Sequence, residues 1–258
     1  MSLITLTSDF GLHDPYVGMM KGVIHSITPG ADIVDITHSI EFANIRQASF
    51  IAYTTCRYFP PGTIHVIIVD PGVGTERLPL AVKTSNAVYI TPDNGCLSMI
   101  LNDTANYAIR VIENGDFMLD NISSTFHGRD IFAPAAAHLA YGEDFSNIGK
   151  IVDKVVQLKD LHPSMENDSV KGMVMHIDIF GNVITNIPSD FGNGMFLAER
   201  NFRINRYDAV VVKTFSDVPD GRIGIVSGSS GFIEFVVNKN SAANILRMKT
   251  GDRFLIVP

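Results

Sequence analysis

At 258 residues, 46% hydrophobic and 18% charged, the chain has length for one large or two modest globular domains and is too apolar to be disordered. Its net charge of −7 counts against a nucleic-acid partner, which needs clustered Lys and Arg. No apolar run approaches the ~18 residues of a membrane helix, and the opening stretch meets Asp9 too soon for a signal-peptide core.

The first half alternates strand and helix. SLITLTSDF (2–10) reads as a strand, and Asp14-Pro15 as a helix start. Val17, Met20, Ile24 and Ile27 follow at helical spacing. DIVDI (32–36) is a second strand. Ile45, Ala48, Ala52, Cys56 and Phe59 mark an amphipathic helix stopped by Pro60-Pro61-Gly62. TIHVIIV (63–69) is continuously apolar, as a strand buried on both faces would be. LAVKT (80–84) and AVYIT (87–91) flank a Ser85-Asn86 turn, and PDNG (92–95) turns into a short helix. YAIRVI (107–112) is another strand, and the Ala-rich stretch 131–141 a helix. This order predicts an α/β N-terminal domain with a mostly parallel sheet and helices on both faces. Cys56 and Cys96 lack CxxC spacing and read as buried thiols of a reducing, cytoplasmic setting.

Near residue 158 the polar LKDLHPSMENDS separates two halves. Beyond it come VKGMVMHIDIF, NVITNI, AVVVKTF, RIGIVSGS, GFIEFVVN and RFLIVP. Short strands joined by Gly, Asn and Asp turns predict a smaller antiparallel β-barrel-like domain. The expected division is 1–158, a linker at 159–170, and 171–258.

Ligands of an open parallel sheet lie beyond the carboxyl ends of its strands. Two strands end there in aspartate, Asp9 and Asp70, each with a glycine two residues on. One such Asp is often a turn or cap; two in one sheet point to a site. DPGVGTER (70–77) lacks the Lys-Ser/Thr of a phosphate loop, and Asp70 would repel phosphate. Its glycines suit a sharp turn or a close approach to a ligand. Arg77 is most simply a surface arginine. In TFHGRDIFAP (125–134), Asp130 reads as a helix cap, and His127 is the site candidate. Asp93 and Asn94 read as turn residues, Asp14 as a cap, and His13 and His38 as exposed loop residues. His13, Asp14 and His38 with Asp9, Asp70 and His127 could also form an oxygen/nitrogen metal site, but no spacing is diagnostic. In the second half, Asp178, Phe180 and Asn182 share IDIFGNVITNI, and Ser229 and Ser230 share SGSSGFIEFVVN. Hairpin turns account for both stretches. Their aromatic face, amide and backbone groups would also suit a flat, uncharged heterocycle such as a purine.

TSDFG, DITH, FPPGT, VDPGVGTER, PDNG, TFHGRDIFAPAAA, FGNVITNI and SSGFIE run in this order from Thr7 to near Asn240. Together they resemble the S-adenosyl-L-methionine (SAM) hydroxide adenosyltransferases, hydrolytic relatives of fluorinase and chlorinase. The resemblance implies hydrolysis of SAM to adenosine and L-methionine by water attacking ribose C5′, without cofactor or metal. It implies a homotrimer with active sites between neighbouring subunits. It assigns Asp70, Arg77 and His127 to the water, and Asp9 to the ribose hydroxyls. Phe180, Asn182 and the backbone near Val237 go to adenine, and Asp178, Ser229 and Glu234 to the methionine end and nearby polar groups. Ser230 and Val237 stand where fluorinase has arginines, so those contacts do not carry over. The alternatives are a metal-dependent nucleotide phosphohydrolase and a non-catalytic adenosine or SAM sensor.

Overall fold

Ile4–Ser8 forms β1, every residue of it buried, in the computed structural model, which describes residues 3–194, 196 and 201–258. The chain divides at Leu158 into two units. In the first, β1 is followed by α1 (Tyr16–Ile27), β2 (Ile33–Thr37), α2 (Ile45–Cys56) and β3 (Thr63–Ile68). Then come β4 (Pro79–Thr84), β5 (Ala87–Pro92), α3 (Ser98–Asn102), β6 (Tyr107–Val111) and α4 (Ala133–Tyr141). The sheet order is β2-β1-β3-β5-β4-β6. β2, β1, β3 and β5 pair in parallel, and β4 runs against both its neighbours because a tight hairpin joins it to β5.

Helices cover both faces, as the alternation predicts. Ile64, Val66 and Ile68 pack with Met20 and Ile24 of α1 and the alanines of α4. Ile67, on the opposite face of β3, joins Ala48 and Ala52 of α2 and Leu97 and Ile100 near α3. Alanines let α4 lie close to the sheet. Cys56 and Cys96 are free and buried, and burial pushes both thiols up to about 12. Asp14 does not cap α1: Pro15 occupies the cap position, and no side chain bonds the first turn. Among the described residues no helix is long and apolar enough to cross a membrane.

The second unit holds β7 (Ser164–Glu166), β8 (Ser169–Ile177), β9 (Val183–Pro188), α5 (Phe191–Gly194) and β10 (Asn201–Ile204). It continues with β11 (Tyr207–Val211), β12 (Ile223–Ser227), β13 (Phe232–Val236), α6 (Ala242–Leu246) and β14 (Arg253–Val257). The sheet runs β14-β10-β11-β12-β13-β9-β8-β7, and pairing of β14 with β8 closes seven strands into a barrel. One pair departs from the antiparallel expectation. β11 and β12 are parallel because the 212–222 connection returns the chain to the same end. β7 lies inside the stretch read as a linker. It hairpins onto β8 through Asn167 and Asp168, both at positive φ, the two-residue turn whose twist matches paired strands.

At the barrel seam a Cβ on Gly172 would sit 2.4 Å from Phe254 Cζ. Phe254 is 4% exposed and packs edge-on against Phe235 at 4.9 Å, so it has nowhere to move. We expect Gly172→Ala to cost ~1–3 kcal/mol, seen as a lower urea midpoint at unchanged m-value. An unchanged midpoint would mean the seam has slack.

Candidate functional site

Ser8 pairs with Ile68 in the parallel register of β1 and β3, so Asp9 and Asp70 leave neighbouring strand ends. After Asp70 the chain turns twice, with Val73 N donating to Asp70 O at 3.2 Å and Thr75 N to Gly72 O at 3.2 Å. Gly74, at φ +77°, lies so close to the 124 backbone that a Cβ would meet Ser124 O at 2.4 Å. The close approach foreseen for these glycines is thus made, at Gly74, to the protein's own chain. It seats the loop against the segment leading to His127 and brings Arg77 back over Asp70.

Arg77 is not a surface residue: its side chain is 8% exposed and that of Asp70 is 6%. Nε donates to Asp70 Oδ1 at 3.0 Å, and Nη2 to Oδ2 at 2.5 Å, the two-pronged fit that guanidinium and carboxylate share. Nη2 also donates to His127 Nδ1 at 2.7 Å. A guanidinium can only donate, so Nδ1 must accept, which leaves His127 neutral with its proton on Nε2. Burial and then the Arg77 charge hold the His127 pKa below its ordinary value. The guanidinium lies 5.2 Å over the fully buried Phe132 ring. Its Nη1 is buried without a partner among the described residues.

A cleft of about 370 Å³ opens here, bounded by Asp70, Val73 and His127 and by Phe10, Tyr16 and Phe126. The three rings contact one another at centroid distances of 5.2 to 5.9 Å. Sequence reasoning missed these aromatics; their signal is adjacency, Phe10 to Asp9 and Phe126 to His127. Asp9 accepts from Ala43 N at 2.9 Å. Asp130 does not cap a helix. It lies fully buried in a π-helical turn (Gly128–Phe132), accepting from Ser123 N and from Arg129. Asn94 acts beyond its own turn, donating from Nδ2 to Val69 O at 2.8 Å at the end of β3. His38 is buried, not exposed. Among the described residues no group of three or more His, Cys, Asp or Glu could hold a metal ion, so the six residues considered do not converge on one.

In the second unit Asp178 organises the β8–β9 hairpin. Its Oδ1 accepts from Phe180 N at 3.0 Å and Asn182 N at 2.8 Å, and its Oδ2 from Asn182 Nδ2 at 2.8 Å. That hairpin holds Phe180 77% exposed. Glu234 is buried. Burial, then the Asp178 charge, raises its pKa, and a Cβ on Gly228 would fall 1.9 Å from Glu234 Oε1. Asp178, Asn182 and Glu234 thus form one polar group. Exposed Ser229 and half-buried Val237 flank opposite ends of β13.

Residues 4–149 match the model of the SAM hydroxide adenosyltransferase N-terminal domain, and 172–255 that of its C-terminal domain. An (R)-S-adenosyl-L-methionine hydrolase of Salinispora arenicola is 33% identical over 98% of this chain and 97% of its own. A fluorinase of an Actinoplanes species is 26% identical over 96% and 95%. The crystal structure of an uncharacterized conserved protein from Thermotoga maritima, 40% identical, superposes with a TM-score of 0.93 over 99% of this chain and 100% of the other.

Removing one partner of a buried ion pair strands the other charge, typically at 3–5 kcal/mol, whereas removing both is far cheaper. Arg77→Met should therefore lower unfolding free energy by about 3 kcal/mol, and Asp70→Asn/Arg77→Met by less than the sum of the single variants. Strictly additive losses in urea titrations would show that the two side chains do not support one another.

Proposed function

Because the chain belongs to the SAM hydroxide adenosyltransferase family, we propose that it hydrolyses SAM to adenosine and L-methionine. Its relatives named for (R)-S-adenosyl-L-methionine point to that sulfonium epimer. The observation that carries this reading is the Asp70–Arg77–His127 chain with the unpartnered Arg77 Nη1 donor.

Water attacks C5′ in line. The C5′–O bond forms as the C5′–S bond breaks, the electron pair goes to sulfur, and methionine leaves as a neutral thioether. Such a leaving group needs no general acid, so the site has one task, to make and aim a hydroxide-like oxygen. Arg77 Nη1 donates to that oxygen. His127, with Nδ1 turned to Arg77, offers Nε2–H as a second donor and so cannot be the base. Asp70 is left as the acceptor of the proton, in contact with a guanidinium that stabilises the charge on either side of the transfer.

Asp9 would hold the ribose hydroxyls. Phe180, Asn182 and the backbone at Val237 would hold adenine, and Asp178, Ser229 and Glu234 the methionine end. Residues 1–158 and 171–258 would serve as the two domains, joined through 159–170, which adds β7 to the sheet of the second. The working form is a cytoplasmic homotrimer whose sites lie at subunit interfaces, and it uses no cofactor.

Incubating the protein with each SAM epimer in heavy-oxygen water tests the reaction. Label in the adenosine 5′-hydroxyl, with methionine formed from the (R) epimer, is expected. Binding without turnover would overturn the reading. A second expectation concerns pH. Protonated His127 cannot accept from Arg77, so kcat/KM falls as pH drops through the His127 pKa, which is depressed below 6.5. Full activity lies above that pKa. An acid limb centred above 6.5, or one unmoved in His127→Asn, would remove His127 from this role.

A further inference from the structure

His38, at 4% exposure, is among the most deeply buried histidines and takes no part in the chemistry above. Its Nδ1 lies 2.7 Å from the Oγ of Ser8, the last residue of β1. Ser8 Oγ also accepts from Phe10 N at 3.2 Å, so it braces the peptide on both sides of Asp9. On the other edge of the ring, Nε2 faces Asp35 Oδ1 at 3.2 Å. Lys21 Nζ holds the same carboxylate at 2.6 Å. Serine, histidine and aspartate in line have the order of a hydrolytic triad. At 2% exposure, however, Ser8 offers a substrate no face.

What this chain of side chains grips is backbone. Gly11 N donates to His38 O at 2.7 Å and Ile40 N to Ser8 O at 3.4 Å. Residues 38–43 therefore run alongside the end of β1, bonded to it on either side of Asp9. At their far end Ala43 N donates to Asp9 Oδ2 at 2.9 Å, from a φ of +59°. A residue with a Cβ holds that strained left-handed conformation only where its surroundings fix it. His38 anchors one end of the segment and Asp9 the other.

We propose that His38 is a positioning residue for Asp9, acting through Ser8 and the 38–43 segment, and so sets the affinity of the site for the ribose of its substrate. The inference rests on the role proposed above for Asp9. Loss of one buried hydrogen bond is worth on the order of tenfold in binding. His38→Ala and Ser8→Ala should each raise KM for SAM, and Kd for adenosine by calorimetry, about tenfold, with kcat changed less than about threefold. His38→Asn, whose amide can meet Ser8 where Nδ1 does, should recover most of the loss. A purely structural role would lower the active fraction, reducing kcat while KM and Kd stayed put. Unchanged KM and Kd in Ser8→Ala, the least disruptive variant, would overturn the proposal. If the wild-type protein neither hydrolyses SAM nor binds adenosine, the reading beneath it fails first. If it does both and the variants match it, only the role of His38 fails.

Discussion

The arrangement of the N-terminal unit's site depends on one guanidinium. Arg77 gives two donors to Asp70 and one to His127, and its Nη1 has no partner among the described residues. That distribution fixes the imidazole tautomer, holds the carboxylate in one orientation, and leaves a buried donor without an acceptor among the described residues. An ammonium could not do this, because it lacks the planar fork that meets two carboxylate oxygens at once. Phe132 beneath the guanidinium and the tight Gly74–Ser124 approach beside it fix where that plane lies. A buried ion pair is weak support for stability, since desolvation offsets most of its attraction. Its worth here lies in organising the site.

The fold supplies the rigidity that such a device needs. β3 is buried on both faces, between α1 and α4 on one side and α2 and α3 on the other. Asp70 thus leaves a strand end that cannot tilt. Asp9 leaves the adjacent strand one residue past the Ser8–Ile68 pair, level with Val69. The loops that complete the site, 70–77 and 123–127, pack on each other through glycine where a side chain would hold them apart.

The strands that carry these residues were legible in the sequence because their signals are local. Continuous apolar character marks β3, and an aspartate at its tip needs no partner to be noticed. Read from the residues alone, without the family resemblance, Arg77 and His38 look exposed for the opposite reason. Arg77 folds back only because Gly74 allows the loop to close on residue 124, and its third hydrogen bond goes to His127, 50 residues away. His38 sits in a polar stretch, and the hydroxyl that buries it lies 30 residues earlier. Asp14 and Asp130 have the right type for caps, but tertiary contacts and a proline decide their positions. β10 escaped notice as a four-residue strand, and the β11–β12 pairing because no local pattern states which way a long connection returns.

The charge balance fits the proposed reaction in one further respect. SAM carries a sulfonium and an ammonium against one carboxylate, and is a net cation. Adenosine is neutral, and methionine a zwitterion. A chain of net charge −7 attracts the first and is indifferent to the products, so turnover itself removes the long-range attraction. Within the site, hydroxide-like attack on a sulfonium annihilates opposite charges. Such a step gains from surroundings less polar than water, because the separated charges are better solvated than the neutral products. The aromatic wall of Phe10, Tyr16 and Phe126 beside Asp70 and His127 supplies such surroundings. In the proposed reaction the Arg77 and His127 donors would hold the oxygen while an apolar wall stands beside them, and that reaction requires both.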